Sequence, residues 1–136
     1  MVDLRIELIV MPVTDVDRAR AFYEAAGFAL DVDHSTGDDF RVVQLTPPGS
    51  SCSIAFGVGL GHDMAPGSLQ GLHLIATDVV AARDDLVARG VEVGEPYHYE
   101  DGVRLPGPDP ARGIYQTFAD FRDPDGNAWV IQEVPG

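Results

Sequence analysis

Residues 4–13, LRIELIVMPV, are apolar and β-branched over a span too short for a helix, which predicts a strand. Asp15 then offers a helix N-cap, and the apolar residues Val16, Ala19, Phe22, Tyr23 and Ala26 fall on one helical face. Gly27 supplies the stop. FALDVD (28–33) resumes extended structure, and DFRVVQL (39–45) and CSIAFGV (52–58) flank the turn residues of a hairpin. The first half therefore reads β-α-β-β-β. The second half repeats it: GLHLIATD (71–78) as a strand, VVAARDDLVARG (79–90) as a helix ending at Gly90, and VEVG (91–94) as a strand. A last pair of strands flanks the Asp123-Pro124-Asp125-Gly126 turn, and the imperfect alternation of Ala128–Glu133 suits a strand buried on both faces.

Shifting one half on the other by 63 residues superposes Asp15 on Asp78, Val16 on Val79, Ala19 on Ala82, Arg20 on Arg83, Ala25 on Ala88 and Gly27 on Gly90. Both helix caps are retained, as a duplicated module requires. The expected organisation is α+β, one domain over 1–136. Module 1 covers about 3–60, a Gly-rich connector 57–71, and module 2 about 70–134. The insertion 94–113 is long for a structureless loop, and its Tyr97, His98 and Tyr99 favour a lid or binding loop.

Composition narrows the partners. With 9 Lys and Arg against 22 Asp and Glu, the net charge of −13 argues against nucleic acid or an anionic membrane, both of which need a basic footprint. No apolar run approaches the ~20 residues of a membrane span. The single cysteine, Cys52, permits no internal disulfide and suits a reducing compartment, so a cytoplasmic setting is expected. Gly57-Val58-Gly59-Leu60-Gly61 lacks the spacing of a nucleotide loop. His34, His62, His73 and His98 form no ligand-spaced pair, and Cys52 between serines reads as a small buried residue.

The paired βαβββ modules, with VTDVDRARAFYEAAGF in the first and DPDGNAWVIQE closing the second, resemble the vicinal oxygen chelate superfamily. That group holds glyoxalases, extradiol dioxygenases, fosfomycin-modifying enzymes and bleomycin-resistance proteins. The resemblance implies a cupped mixed sheet around a cavity, and a homodimer. It also implies metal ligands at four strand positions, which here are Leu8, a residue near Ala55, Leu72 and Val130. All four are aliphatic and cannot donate to a cation, so no metal or other cofactor is expected. Glu7 and His73 stand next to two of these positions, and Glu133 lies three residues past Val130. Adjacent strand residues point to opposite faces, so these three should face away from the cavity. On that reading Glu7 and Glu133 are strand-end surface charges and His73 is an edge histidine bonded to backbone.

Strand parity then predicts an apolar lining of Leu8, Val10, Ala55, Leu72, Leu74 and Val130. A two-residue turn at Gly49-Ser50 places Gln44 opposite Ala55 and Thr46 opposite Ser53. Gln44, Ser53 and Gln132 are thus the candidate polar groups, with Tyr115 at the exit of the long loop as a further hydroxyl or stacking surface. An apolar cup with a few fixed polar groups suits a small organic ligand. The first expectation is a binding protein. The alternative is a glyoxalase-like lyase or isomerase, or a dioxygenase, working through displaced metal ligands or loop residues such as His98, Glu100, Asp101 and Arg104.

Overall fold

The computed structural model describes all 136 residues. They form two compact units, residues 1–69 with 124–127, and residues 70–123 with 128–136.

In the first unit, β1 (Leu8–Val10) leads into α1 (Val16–Ala25). β2 (Ala29–Thr36), β3 (Phe40–Thr46) and β4 (Ser53–Val58) follow. The sheet order is β1-β4-β3-β2, with β1 parallel to β4 and the other pairs antiparallel. The Asp15 carboxylate accepts from the Arg18 amide at 3.0 Å and starts the helix. Gly27 ends it at φ 96°, a left-handed conformation that a side chain would resist. Tyr23 is fully buried and packs against Phe28 and Phe56, so Phe56, Ile54, Val43 and Leu45 form the face covered by the helix. The turn residues Pro124–Asn127 belong to this unit. Asn127 donates to the Pro12 carbonyl and accepts from the Leu69 amide, while Asp125 accepts from the amide and hydroxyl of Thr14.

The second unit repeats the plan: β5 (Leu72–Ala76), α2 (Val79–Ala88), then β8 (Phe118–Arg122) and β9 (Ala128–Glu133), with β5 parallel to β9. Asp78 caps α2 through the Ala81 amide, and Gly90 ends it at φ 90°. Phe121 and Trp129 stack 5.9 Å apart on the helix-covered face.

The insertion differs from the loop expected. It folds into a hairpin, β6 (Tyr97–Glu100) and β7 (Val103–Pro106), which extends the sheet to the order β5-β9-β8-β6-β7. Asp101 and Gly102 both take positive φ, 50° and 76°, the geometry of a tight two-residue hairpin turn. VEVG is not a regular strand; only Val93 forms a bridge, with Phe121.

Candidate functional site

Each sheet has one face under its helix and one open face. In the first unit the register pairs Leu8 with Ser53, Val10 with Ala55, and Gln44 with Ala55. Leu8, Val10, Gln44, Ser53 and Ala55 therefore share the open face, as parity requires, with Val42 beside them. Ser53 is buried and its hydroxyl lies 2.6 Å from that of Thr46, which in turn donates to Asp31. Gln44 is half-buried, and its amide forms no bond with another protein group.

In the second unit the expected lining needs correction. Leu72 pairs with Trp129 and Leu74 with Ile131, so both point to the helix-covered face. His73 and Ile75 pair with Val130 and Gln132 and occupy the open face instead. The cause lies at the junction of strand and helix. The family spacing from the second capping Asp lands on Leu72, whereas the internal shift of 63 carries Leu8 and Val10 onto Gly71 and His73. The duplicated backbone follows the internal shift. His73 is exposed, and its Nδ1 lies 2.7 Å from the Gly71 carbonyl.

Glu133 also departs from expectation. It is 1 % exposed, not a surface charge. Its Oε1 accepts from the Val79 amide at 2.8 Å at the start of α2. Both carboxylate oxygens accept from Arg112, at 2.6 and 2.9 Å, and Arg112 also reaches Asp78 at 2.9 Å. The Arg112 guanidinium foremost, and then the helix amide, hold the Glu133 carboxyl below its usual range. Glu133 and His73 thus face opposite sides of the sheet and cannot converge on one ion. No three His, Cys, Asp or Glu side chains lie close enough to hold a metal.

An aromatic patch that the sequence pattern does not reveal lies on the open face of the second sheet. Tyr97 pairs with Phe118, and Phe118 with Gln132, so all three share that face. The Tyr97 and Phe118 rings stack at 5.5 Å, and Tyr99 meets both edge-on at 5.9 Å. Arg104 lies over the other side of Tyr97, 3.6 Å from the ring centroid. The Tyr97 hydroxyl donates to Asp120 at 2.6 Å; burial, then that bond, raises its pKa. Tyr99 stays 47 % exposed. A hollow of about 400 Å³ opens beside the patch, bordered by Pro96, Tyr97, Arg104 and Leu105. The patch exists because the hairpin turn aims alternate residues of β6 to one side. Tyr115 is exposed with φ 60°, its amide bonded to the Glu133 carbonyl.

A larger hollow, about 760 Å³, lies at the C-terminal end of α2 and is bordered by Arg83, Val87, Glu92, Phe121 and Trp129. Its Arg83 is already committed, donating to the Val93 and Gly94 carbonyls and to Glu95. It offers less for recognition than the open faces.

The sequence model of the Glyoxalase/Bleomycin resistance protein/Dioxygenase superfamily matches residues 5–131. Among solved structures, the chain is similar to TnmS3, an antibiotic binding protein from Streptomyces sp. CB03234. The two share 33 % identity over 100 % of this chain and 99 % of that one, with a TM-score of 0.73. A glyoxalase/bleomycin resistance protein from the same Streptomyces is also 33 % identical, over 95 % of this chain and 100 % of that one, with a TM-score of 0.70. The uncharacterized protein YetH of Bacillus subtilis (strain 168) is 25 % identical over 95 % of this chain and 98 % of its own length.

Proposed function

We propose that this chain, which belongs to the glyoxalase/bleomycin resistance protein/dioxygenase superfamily, binds a small, partly aromatic organic molecule against its open sheet faces and releases it unchanged. The observation that carries this reading is the patch of Tyr97, Tyr99 and Phe118. The exposed Tyr99 and half-buried Phe118, backed by the buried Tyr97 with Arg104 over its ring, form a surface for stacking a planar ligand. The first unit's open face, taken by itself, offers hydrocarbon from Leu8, Val10 and Ala55, and the unpaired amide of Gln44. Similarity to an antibiotic binding protein points the same way.

On the open faces Leu8, Ala55 and Val130 hold hydrocarbon where the resemblance implies metal ligands, His73 stands in for Leu72 with its Nδ1 2.7 Å from the Gly71 carbonyl, and Glu133 is occupied by Arg112 and the start of α2. Binding rather than metal-assisted turnover is the reading these donor sets support. The acidic composition suits a ligand that carries positive charge.

The chain is expected to work as a homodimer. Val2, Leu4 and Ile6 alternate with Asp3, Arg5 and Glu7, and these three apolar side chains are 81, 92 and 72 % exposed. β1 is an edge strand, so one side of its backbone is free to pair. A second copy is the partner that would cover this segment.

Titration of the full chain with 1-naphthol, followed by NMR, tests the binding reading. Shifts confined to the two open faces, at Tyr97, Tyr99 and Phe118 and at Gln44, Ser53 and Ala55, with naphthol recovered intact, are expected. Unperturbed spectra at millimolar probe would reject it.

A further inference from the structure

The open face of the first sheet carries a chain of three polar side chains. Asp31 sits at the β2 bulge, where pairing skips from Leu30–Leu45 to Val32–Gln44. The bulge leaves Asp31 without a strand partner, and its carboxylate reaches the Thr46 hydroxyl. Thr46 lies opposite Ser53, and their hydroxyl oxygens are 2.6 Å apart. Hydroxyls are ambiguous in isolation, since each can donate or accept. This chain removes the ambiguity. A carboxylate has no hydrogen to give, so Thr46 must donate to Asp31. The single Thr46 proton is then used, leaving its oxygen as an acceptor toward Ser53. Ser53 must therefore donate to Thr46, and only its lone pairs remain.

We infer that Asp31, acting through Thr46, fixes Ser53 as a hydrogen-bond acceptor and so selects ligands that present an O–H or N–H group to this face. The inference rests on the small-molecule reading above and specifies it: an apolar or aromatic molecule with a hydroxyl or amine donor. Ser53 is buried between Leu8 and Thr46, with Ala55 and Gln44 in the next row. An ether or carbonyl oxygen placed there would set lone pair against lone pair. Asp31 and Thr46 are positioning residues; Ser53 makes the contact.

Two measurements test this separately from ligand binding in general. Neutron diffraction from deuterium-exchanged crystals of the full chain locates the hydroxyl deuterons without a ligand. They are expected on Thr46 directed at Asp31, and on Ser53 directed at Thr46; a Ser53 deuteron directed elsewhere overturns the inference. Affinities for 1-naphthol and 1-methoxynaphthalene then read the consequence. The wild type is expected to prefer the naphthol by about tenfold, the cost of one unmatched buried polar group. Thr46→Val keeps the branched shape, frees the Ser53 proton and is expected to bring the ratio near one. Equal wild-type affinities, or a preference unchanged in Thr46→Val, overturn the inference. Binding of neither naphthalene counts against the small-molecule reading instead, and the neutron map then decides the relay alone.

Discussion

Replacing Glu133 with Ala is the substitution for which the structure gives the firmest magnitude. Its carboxylate is 1 % exposed and is shared by the Val79 amide and the Arg112 guanidinium. Breaking a buried ion pair from one side costs about 3–5 kcal/mol, because the partner keeps its charge. Here the Arg112 side chain is 38 % exposed and retains Asp78, so its charge can be rehydrated, which moves the cost to the lower end. The Val79 amide has no such recourse; leaving it unpaired costs about 1–3 kcal/mol. We expect about 4 kcal/mol in total, or roughly 14 °C in Tm. Glu133→Gln keeps an acceptor for Val79 and should lose about half of that. The pH dependence has a definite sign. The native carboxyl titrates below its usual range, so its contribution is complete above the unfolded value of ~4.3 and is lost as pH falls through the native one. Urea denaturation of the wild type and both variants at pH 7 and pH 4 measures this, and the gap between wild type and Glu133→Gln should narrow in acid. A Glu133→Ala variant within 0.5 kcal/mol of wild type (about the scatter of surface substitutions) would refute the reasoning.

Other consequences are as direct. Tyr99→Ala should weaken 1-naphthol binding by about tenfold, the worth of one stacking contact, without a change in Tm; isothermal calorimetry reads it. Gly57→Ala should destabilise strongly, because the added Cβ would lie 1.8 Å from the Arg41 carbonyl oxygen, a backbone atom that cannot step aside; thermal melts check it. His98 is buried between the Gly107 carbonyl and the Glu100 carboxylate, and the first of these foremost raises its pKa. The stability it lends the β6–β7 hairpin should be present below pH 6.5 and fade as pH rises through the native value, visible as an NMR titration midpoint above 6.5 that is absent in His98→Gln. Leu4→Glu with Ile6→Glu should convert a dimer to monomer in sedimentation velocity, and leave the melt of each unit unchanged.

The elements that sequence located best are those specified by local chemistry. Asp15 and Asp78 each cap a helix, Gly27 and Gly90 each end one at positive φ, and the symmetric turn around Gly49-Ser50 sets the Gln44–Ala55 register. The hairpin at 97–106 was also written locally, in Asp101-Gly102 between alternating residues, but the surrounding Pro and Gly disguised it. With that hairpin came the aromatic patch, since a loop assignment gives Tyr97 and Tyr99 no common side. The face of β5 was lost for a different reason. The family spacing and the molecule's own repeat differ by one residue there, and one residue of offset turns a strand over. The role of Glu133 was beyond any local rule, because its partner Arg112 lies 21 residues away and meets it only after β8 and β9 pair.

The central claim is that the open sheet faces hold an aromatic ligand without transforming it. A crystal structure of the protein grown with 1-naphthol, with the solution analysed by mass spectrometry, tests that most directly. We predict naphthol density stacked on Tyr97, Tyr99 or Phe118, or against Ser53, and a probe mass unchanged after prolonged incubation. Density confined to the hollow at the end of α2, or conversion of the probe, would contradict the account.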